Sequence, residues 1–522
     1  MPDPARVQVA RNAATFDRLV RVIEQRVASR RYDSAVAWAR VAASFASTNP
    51  CGTLRENRID EALDAVARAE LAPTRTTNRS DDKQRRVLHV LSECHLIGGH
   101  VRWAARWIQA DPSGSDVVVT RPNLDSPELA EIVQRRGGKH TVLHDRSFVR
   151  RAQQLRDLTA EADIVVCHSH ADDPVPAVAF GDGYSAAPVI MVNHADHVFG
   201  LGAGRISVLL NFRQIGAQAA AAARGYPERS LMVVPTPIPE VERSRGRAEA
   251  KRELGIDPRA VTLVTLARSV KYEAAPWHPG FVDVIAPFLR THPEVSLVAV
   301  GPDPDGAEWA ALKRANPRQV MLAGAQPDPT LYLDAADVYL DSFPFGSVTS
   351  MLEAATRDVP VLASRLYTGM SRLMSSSGPL DDVVVGAPDP ESYREELARL
   401  VEDGTLRDEL GRLTGAAARD RHGATAWQAN LEQIYKRAFE VEPTLARGAP
   451  TAPGEVAEYC EQLLGIEAQA PLLWPVGFCQ GQFDVRDRWS ARARMAAFRV
   501  AQRLGGPAAA HRPALRALLI PN

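Results

Sequence analysis

The chain has few cysteines, almost no net charge and no long apolar run. Its 522 residues include five cysteines, an odd number, and none forms a CxxC pair. This scarcity favours a reducing compartment over a disulfide framework or a cysteine-based zinc site. A formal net charge of -1 gives no global attraction to nucleic acid or to an anionic membrane. Residues 1–11 lack a secretory pattern, and no stretch of about eighteen apolar residues follows. We therefore expect a cytoplasmic protein without a transmembrane segment or a nucleic-acid partner.

Two series of short, Val-rich runs alternate with segments of helical composition. The first series comprises residues 86–91, 116–120, 141–144, 163–167 and 188–192. The second comprises residues 261–266, 297–300, 320–322, 338–340, 359–362 and 383–385. This order predicts an α/β protein with two doubly wound parallel sheets, each covered on both faces. Residues 233–239 hold three prolines between the two series and are typical of a hinge.

Four segments follow from this pattern. Residues 1–84 show helical periodicity and form a prefix, residues 85–238 a first sheet domain, and residues 239–425 a second. Residues 426–522 are expected to hold a crossing helix, a linker and a basic helical tail. The prefix and the tail are interpreted either as packing elements or as surfaces for a protein partner.

Residues 337–364 have the pattern of a strand, a loop, a helix and a second strand. Around the predicted helix start lie small or hydroxylated residues, namely Gly346, Ser347, Thr349 and Ser350. The free backbone N–H groups and positive dipole of a helix start suit a phosphate. One turn later, the Glu353 carboxylate is suited to a ribose diol. The competing interpretation is that the hydroxyls simply cap a helix.

Three further groups follow predicted strands and are expected to face the cleft between the two sheets. Gly98, Gly99 and His100 follow the first strand, where glycines permit close approach of a ligand. A loop after the strand at 188–192 could recognise hydroxyls, transfer a proton or bind a metal. Its polar residues are Asn193, His194, Asp196 and His197. Arg268 and Lys271 follow the first strand of the second sheet, where cations can stabilise a departing diphosphate or form a solvated loop.

The string DVYLDSFPFGSVTSMLEAA from residue 337 resembles the sugar-nucleotide segment of GT-B glycosyltransferases. It is most similar to O-linked N-acetylglucosamine transferases and bacterial adhesin N-glucosyltransferases. The resemblance implies a diphosphate on the helix start with Phe345 beside it, a base held near Gly324 and Gln326, and Lys271 on the leaving group. It also implies an acceptor site in the first domain and no catalytic metal. Phe345 occupies the place of the first of two glutamates found in many retaining relatives.

The sequence thus predicts a hexosyltransferase that uses a nucleotide sugar, most simply a UDP-sugar, as co-substrate without a further cofactor. His100, His194 or His197 would accept the proton of an unidentified acceptor in an inverting reaction, and a retaining reaction requires no such base. Two alternatives stay open at this point. A sugar-nucleotide epimerase shares the fold and the diphosphate site, and a non-catalytic nucleotide-binding protein could use the prefix and tail for docking.

Overall fold

A computed structural model of the chain describes most of its length. The described residues are 3–74, 85–94, 99–122, 127–238, 243–275, 277–376, 378, 380–446, 448, 450–464, 472–479, 481–505 and 519–520. The chain forms two compact units. The first comprises Met1–Val234 and Asn430–Asn522, and the second comprises Pro235–Ala429.

The first unit is built on a parallel sheet of seven strands within the described residues, in the order β3-β2-β1-β4-β5-β6-β7. These strands are β1 (Arg86–Leu91), β2 (Gly114–Val119), β3 (His140–Val142), β4 (Ile164–His168), β5 (Val189–Val192), β6 (Val208–Asn211) and β7 (Leu231–Val233). Five of them correspond to predicted runs. The prediction missed β6 and β7 because they are short and β7 is a partly exposed edge strand without a buried pattern.

Hydrophobic residues alternate between the two faces of this sheet. Leu88 and Val118 belong to the larger core on one face, whereas Leu91 and Val119 belong to a separate cluster on the other. Because side chains alternate along a strand, runs that are apolar throughout must be covered on both sides. The first unit is therefore layered as the strand pattern predicted.

Helices cover both faces of the first sheet, and three of them come from the prefix. The helices of the sheet region are α1 (Pro4–Ala28), α2 (Tyr32–Thr48), α3 (Asn57–Glu70), α4 (Gly99–Ala110), α5 (Pro127–Arg135), α6 (Phe148–Leu158), α7 (Pro174–Ala179) and α8 (Gln214–Arg224). Trp38 and Phe45 of α2 are fully buried in the same core as Val90. The prefix thus shares its hydrophobic core with the sheet.

A polar contact fixes α6 against α2, and we expect its loss to be measurable. Ser147 caps α6 by accepting a hydrogen bond from the Arg150 N–H (3.0 Å), and its hydroxyl donates to Asp33 (2.8 Å). Ser147→Ala should lower the free energy of unfolding by about 1 kcal/mol, since it removes an N-cap. Ser29→Ala, at an exposed helix end, should change it by less than about 0.5 kcal/mol. Urea denaturation measures both, and equal losses would contradict the capping role.

The second unit is built on a parallel sheet of six strands among the described residues, in the order β10-β9-β8-β11-β12-β13. These strands are β8 (Val261–Leu266), β9 (Val295–Val300), β10 (Val320–Gly324), β11 (Val338–Leu340), β12 (Val361–Ser364) and β13 (Val385–Ala387). All six were predicted, although β12 and β13 begin two residues later. Leu263 and Leu340 face one core and Val264 and Tyr339 the other, so this sheet is also covered on both faces.

The remaining helices flank the second sheet or return to the first unit. They are α9 (Arg247–Glu253), α10 (Phe281–Thr291), α11 (Ala307–Ala315), α12 (Thr330–Asp334), α13 (Val348–Ala355), α14 (Pro390–Glu402), α15 (Gly404–His422), α16 (Ala424–Glu440), α17 (Pro453–Leu463), α18 (Leu473–Phe478) and α19 (Val485–Gly505). The segment predicted as a linker is bonded to the first unit, since Thr444 and Ile206 exchange backbone hydrogen bonds. Both sheets reverse their order beside the first strand, between β1 and β4 and between β8 and β11. Ligands of such sheets bind at the carboxyl ends of these strands.

Candidate functional site

The loop from β11 to α13 forms one side of a site at the switch point of the second sheet. Met351 makes the first intrahelical hydrogen bond, to the Ser347 carbonyl (3.0 Å), so the N–H groups of Val348, Thr349 and Ser350 precede the intrahelical ladder. Ser347 occupies the N-cap, but its hydroxyl donates to Ser350 Oγ (3.2 Å) instead of capping the helix. Thr349 is exposed. This helix start is suited to an anionic ligand.

Lys271 forms the other side of this site. It ends a 3₁₀ turn at Ser269–Lys271, directly after β8, and its Nζ donates to the Gly346 carbonyl oxygen at 2.8 Å. The same Nζ lies 4.9 Å from the centre of the Phe345 ring. The loops after β8 and β11 are also joined by a hydrogen bond from the Phe345 N–H to the Lys271 carbonyl (3.3 Å). The structure thus places a cation at the start of α13, whereas Arg268 lies exposed at the N-cap of the turn.

The buried side chain of Asp341 holds the loop between β11 and α13 in place. Asp341 follows β11 and accepts a hydrogen bond from the Ser347 N–H at 2.9 Å. Burial raises the pKa of Asp341 above its ordinary value, while this hydrogen bond and the nearby charge of Lys271 act in the opposite direction. Asp341 therefore fixes the backbone of the helix start.

Backbone packing brings the predicted site for the nucleotide base, at Gly324 and Gln326, towards the same edge of the second sheet as Lys271. Gly324 ends β10 with a positive φ of 64°, and its carbonyl accepts from the Gly301 N–H at 2.6 Å. A methyl group on Gly301 would overlap the carbonyl oxygen of Ala267, the residue before Arg268. Gln326 is exposed and donates to the Ala323 carbonyl (2.6 Å). The loops after β8, β9 and β10 thus lie side by side.

Glu353 lies one turn into α13, half-buried, after Thr349 and Ser350. Its backbone carbonyl accepts a hydrogen bond from the Arg357 guanidinium at 2.7 Å. The position is compatible with the predicted ribose contact, because a carboxylate there projects from the same helix end that offers the free amides.

The first unit contains a row of imidazoles at its own switch point. His89 Nδ1 lies 3.0 Å from His168 Nε2, and His168 Nδ1 lies 3.3 Å from His194 Nε2. His194 in turn stacks on His100, with ring centres 4.2 Å apart. His170 lies beside His100 and contacts Glu93 through Nε2 (3.0 Å). The row joins β1 and β4 to the loops after β1 and β5.

Burial keeps the imidazoles of His89, His100, His168 and His194 neutral. It lowers the pKa of His100 to about 3, with the neighbouring His170 acting in the same direction. It also lowers the pKa of His89, and it holds the pKa values of His168 and His194 well below the usual range. Neutral imidazoles joined in this way can orient a ligand hydroxyl or pass a proton by exchanging tautomers.

We expect the imidazole row to make the first unit sensitive to acid. Unfolded histidines take up protons as the pH falls below about 6.5, and the buried ones do not, so the free energy of unfolding falls with pH from there. The buried imidazoles contribute fully to the free energy of unfolding only above about pH 6.5. His89→Asn, which keeps a polar partner for His168, should reduce this loss by up to about 1.4 kcal/mol per pH unit.

Urea denaturation at several values between pH 6.5 and pH 4.5 would measure the effect. The matched variant is His144→Asn, since His144 is exposed, and it should keep the wild-type pH dependence. An unchanged slope in His89→Asn would contradict the neutral, buried state of His89.

The other predicted residues of the loop after β5 make contacts within the protein. Asn193 donates to Asn211 Oδ1 (2.8 Å), and both residues are buried. Asp196 accepts from the Arg213 guanidinium (2.7 Å) and lies 3.5 Å from His197 Nδ1. The charge of Arg213 holds the pKa of Asp196 well below its usual range against the opposing effect of burial. These side chains shape the loop that carries His194.

Several predictions fall at or beyond the limits of the described residues. Gly98 lies outside them, while Gly99 begins α4 beside His100.

Among the described residues, no three His, Cys, Asp or Glu side chains are arranged to bind one metal ion. In the same part of the chain, no helix combines the length and apolar character needed to span a bilayer.

The sequence patterns did not reveal five residues of these two sites. Asp341 and Gly301 belong to the second unit, and His89, His168 and His170 belong to the first. A signal existed for some of them, since the sequence CHSH places two histidines directly at the end of a Val-rich run. His89 and Gly301 gave no such signal.

Residues 262–403, which lie within the second unit, match the family model described as Glycosyl transferases group 1. The match includes Lys271, Gly346 and Glu353, so the candidate site lies inside the family segment. Comparison of the whole chain with curated protein sequences yields no match.

Several solved structures are similar to this chain in fold. Anabaena HepE in complex with UDP has a TM-score of 0.53 at 12% identity, over 67% of this chain and 99% of its own. A glycosyltransferase from Rickettsia africae ESF-5 has a TM-score of 0.52 at 10% identity, over 68% of this chain and 99% of its own. The O-GlcNAc transferase of Thermobaculum terrenum has a TM-score of 0.48 at 14% identity, over 87% of this chain and 83% of its own. The first two matches confirm the predicted GT-B fold.

Proposed function

We propose that this chain is a glycosyltransferase that moves a hexose-type sugar from a UDP-sugar to an acceptor bound by the first unit. The observation that carries the proposal is the 2.8 Å hydrogen bond from Lys271 Nζ to the Gly346 carbonyl. It brings a cation to a helix start whose first amides precede the intrahelical ladder. A diphosphate at this place would meet both.

In the proposed reaction, the diphosphate gains negative charge as the glycosidic bond breaks. Lys271 and the dipole of α13 stabilise that charge more in the transition state than in the ground state. Arg268 adds a second, exposed cation with a forked geometry. Protein groups therefore neutralise the charge of the departing diphosphate. In this proposal Glu353 holds the ribose, and the loops at Gly301 and Gly324 lie beside the nucleotide base.

The first unit is assigned to the acceptor. Two of the predicted bases, His100 and His194, lie in the imidazole row, and His194 is the one that lies within 3.3 Å of His168. For an inverting reaction we assign proton acceptance to His194, because His168 can fix its tautomer through the 3.3 Å contact. His197 lies outside this row, beside Asp196.

The choice of UDP is supported by Anabaena HepE, a protein of the same fold that was solved with UDP. Thermal shifts with UDP, GDP and ADP test it directly, because a ligand of the native state stabilises it by about 2.7 kcal/mol at one hundred times its Kd. We expect a clear rise in Tm with UDP and with one UDP-sugar. No rise with any nucleoside diphosphate would overturn the proposal.

Product analysis then separates transfer from the alternatives. Conversion of the UDP-sugar and an acceptor to UDP and a glycosylated acceptor identifies a transferase. Conversion of the UDP-sugar to its epimer without an acceptor identifies an epimerase. Binding of UDP without turnover of any UDP-sugar identifies a non-catalytic protein.

A further inference from the structure

The helix α19 is held against the first unit by a buried inner face. Ala491, Met495 and Phe498, at three- and four-residue spacing, are buried in the main core. Asp487 is also buried and accepts two hydrogen bonds from the Arg26 guanidinium, at 2.7 and 2.9 Å. Just before the helix, the Phe483 ring stacks on Trp38 with centres 4.9 Å apart. The orientation of α19 is therefore fixed, and so is the face that it turns outward.

The outer face of α19 combines exposed apolar side chains with arginines. We define it by six exposed residues: Val485, Arg486, Trp489, Arg492, Arg499 and Val500. Trp489 is 66% exposed and Val485 69%, although such side chains favour burial by about 25 cal/mol per Å² of apolar surface. The Arg492 guanidinium lies 5.9 Å from the Trp489 ring centre. This face unites a hydrophobic and a cationic character.

The charge of this region has one sign. From Arg488 to the last residue the sequence contains seven arginines and neither aspartate nor glutamate. The chain as a whole has a formal net charge of -1, so the excess positive charge of this segment is offset by acidic residues elsewhere in the chain. Within the described part of the chain, the exposed face thus carries no acid that would neutralise its arginines. A partner of this face must be anionic.

We infer that the outer face of α19 binds an anionic lipid surface. A single exposed helix face is convex and offers no groove for a peptide, whereas a planar interface accepts protruding side chains along the whole helix. Tryptophan is favoured at the level of lipid headgroups, and arginine reaches their phosphates with its apolar stem in the interface. Although the inner face of α19 is buried in the protein, its exposed tryptophan and arginines can enter the headgroup region together. The inference does not depend on the proposed transferase activity.

Vesicle co-sedimentation of the full chain tests the inference. Phosphatidylcholine vesicles with an increasing fraction of phosphatidylglycerol should bind the chain with rising affinity, and added salt should weaken binding. Reversal of three arginines should reduce the affinity by at least about 100-fold, since each cation near an anionic surface contributes about a factor of five and each new glutamate is repelled. The variant combines Arg486→Glu, Arg492→Glu and Arg499→Glu. Trp489→Ala alone should also weaken binding, without changing its salt dependence.

A control variant changes the net charge equally at another place. It combines Arg6→Glu, Arg135→Glu and Arg150→Glu, three exposed positions of the first unit. This control should bind anionic vesicles almost as well as the wild type. Equal losses in both variants, absence of binding to phosphatidylglycerol, or equal binding to pure phosphatidylcholine would each overturn the inference. Binding to a soluble acidic polypeptide that vesicles cannot displace would assign the face to a protein partner instead.

Discussion

Lys271→Ala is expected to lower the rate of sugar transfer by about 100- to 1000-fold, the usual cost of removing one group that stabilises developing negative charge. Nζ contacts the Gly346 carbonyl at 2.8 Å, so the ammonium group lies where the diphosphate of a donor would meet the start of α13. The substitution removes a charge that becomes more valuable as the glycosidic bond breaks. We therefore expect a large fall in kcat and a smaller change in KM.

The measurement is the initial rate of UDP release with the UDP-sugar that the thermal-shift screen selects. Lys436→Ala removes the same charge from an exposed site of the first unit, where its side chain is 78% accessible, and should keep the wild-type rate. Lys271→Arg should recover part of the activity, because it keeps the charge but replaces a point contact by a planar fork. A Lys271→Ala variant within tenfold of the wild-type rate would exclude the proposed role.

The sequence predicted the strands of the second unit because most of them are short runs of β-branched and apolar residues that the sheet buries. The run of β8, VTLVTL, consists of Val, Thr and Leu and is buried over most of its length, which is typical of a parallel strand covered on both faces. Once β8 and β11 are recognised as neighbours at a switch point, the loops after them must lie close together. The proximity of Lys271 and Gly346 was therefore predictable from strand order alone.

The supporting residues were not predictable, because their roles depend on the path of a loop or on the packing of distant segments. Asp341 shows in the sequence only as a residue between a strand and a turn, and its bond to the Ser347 N–H depends on the path of the loop. His89 lies within a buried strand, where a histidine is usually a core residue, and His168 becomes its partner only when β1 and β4 pair. The contact between His89 and His168 joins residues 79 positions apart in the chain, and periodicity carries no information about it.

The two units present contrasting electrostatics, and this contrast suits a reaction with one charged and one neutral substrate. The site of the second unit has cations and a helix dipole, which match a diphosphate. The imidazole row of the first unit is neutral because burial disfavours its protonation, so it would not attract the diphosphate. A neutral hydroxyl acceptor is the ligand that such a row can orient without a competing charge.

Gly346→Ala is expected to reduce transfer by about 100-fold, although the new methyl group carries no charge. The sequence suggested that this glycine, with the hydroxylated residues after it, belongs to a helix start that suits a phosphate. The structure shows a second requirement, since its N–H donates to the Met374 carbonyl (2.8 Å) and the chain at Ser375 and Ser376 packs directly against it. A methyl group would overlap the Ser376 nitrogen and lie 2.7 Å from the Ser375 carbonyl carbon. These are backbone atoms, so no side-chain rotation relieves the clash.

The start of α13 or the segment at Ser375 must therefore move, and a shift of about 1 Å at a reacting site costs on the order of 100-fold in rate. The same overpacking should lower the free energy of unfolding by about 1–3 kcal/mol. Gly246→Ala is the matched control, because Gly246 lies in the same unit and has nothing within 4 Å of the added methyl group. UDP titration and urea denaturation of both variants would separate the effects. If Gly346→Ala bound UDP and turned over as the control does, the amides of α13 could not be the phosphate site, because a displaced helix start cannot hold an unchanged ligand.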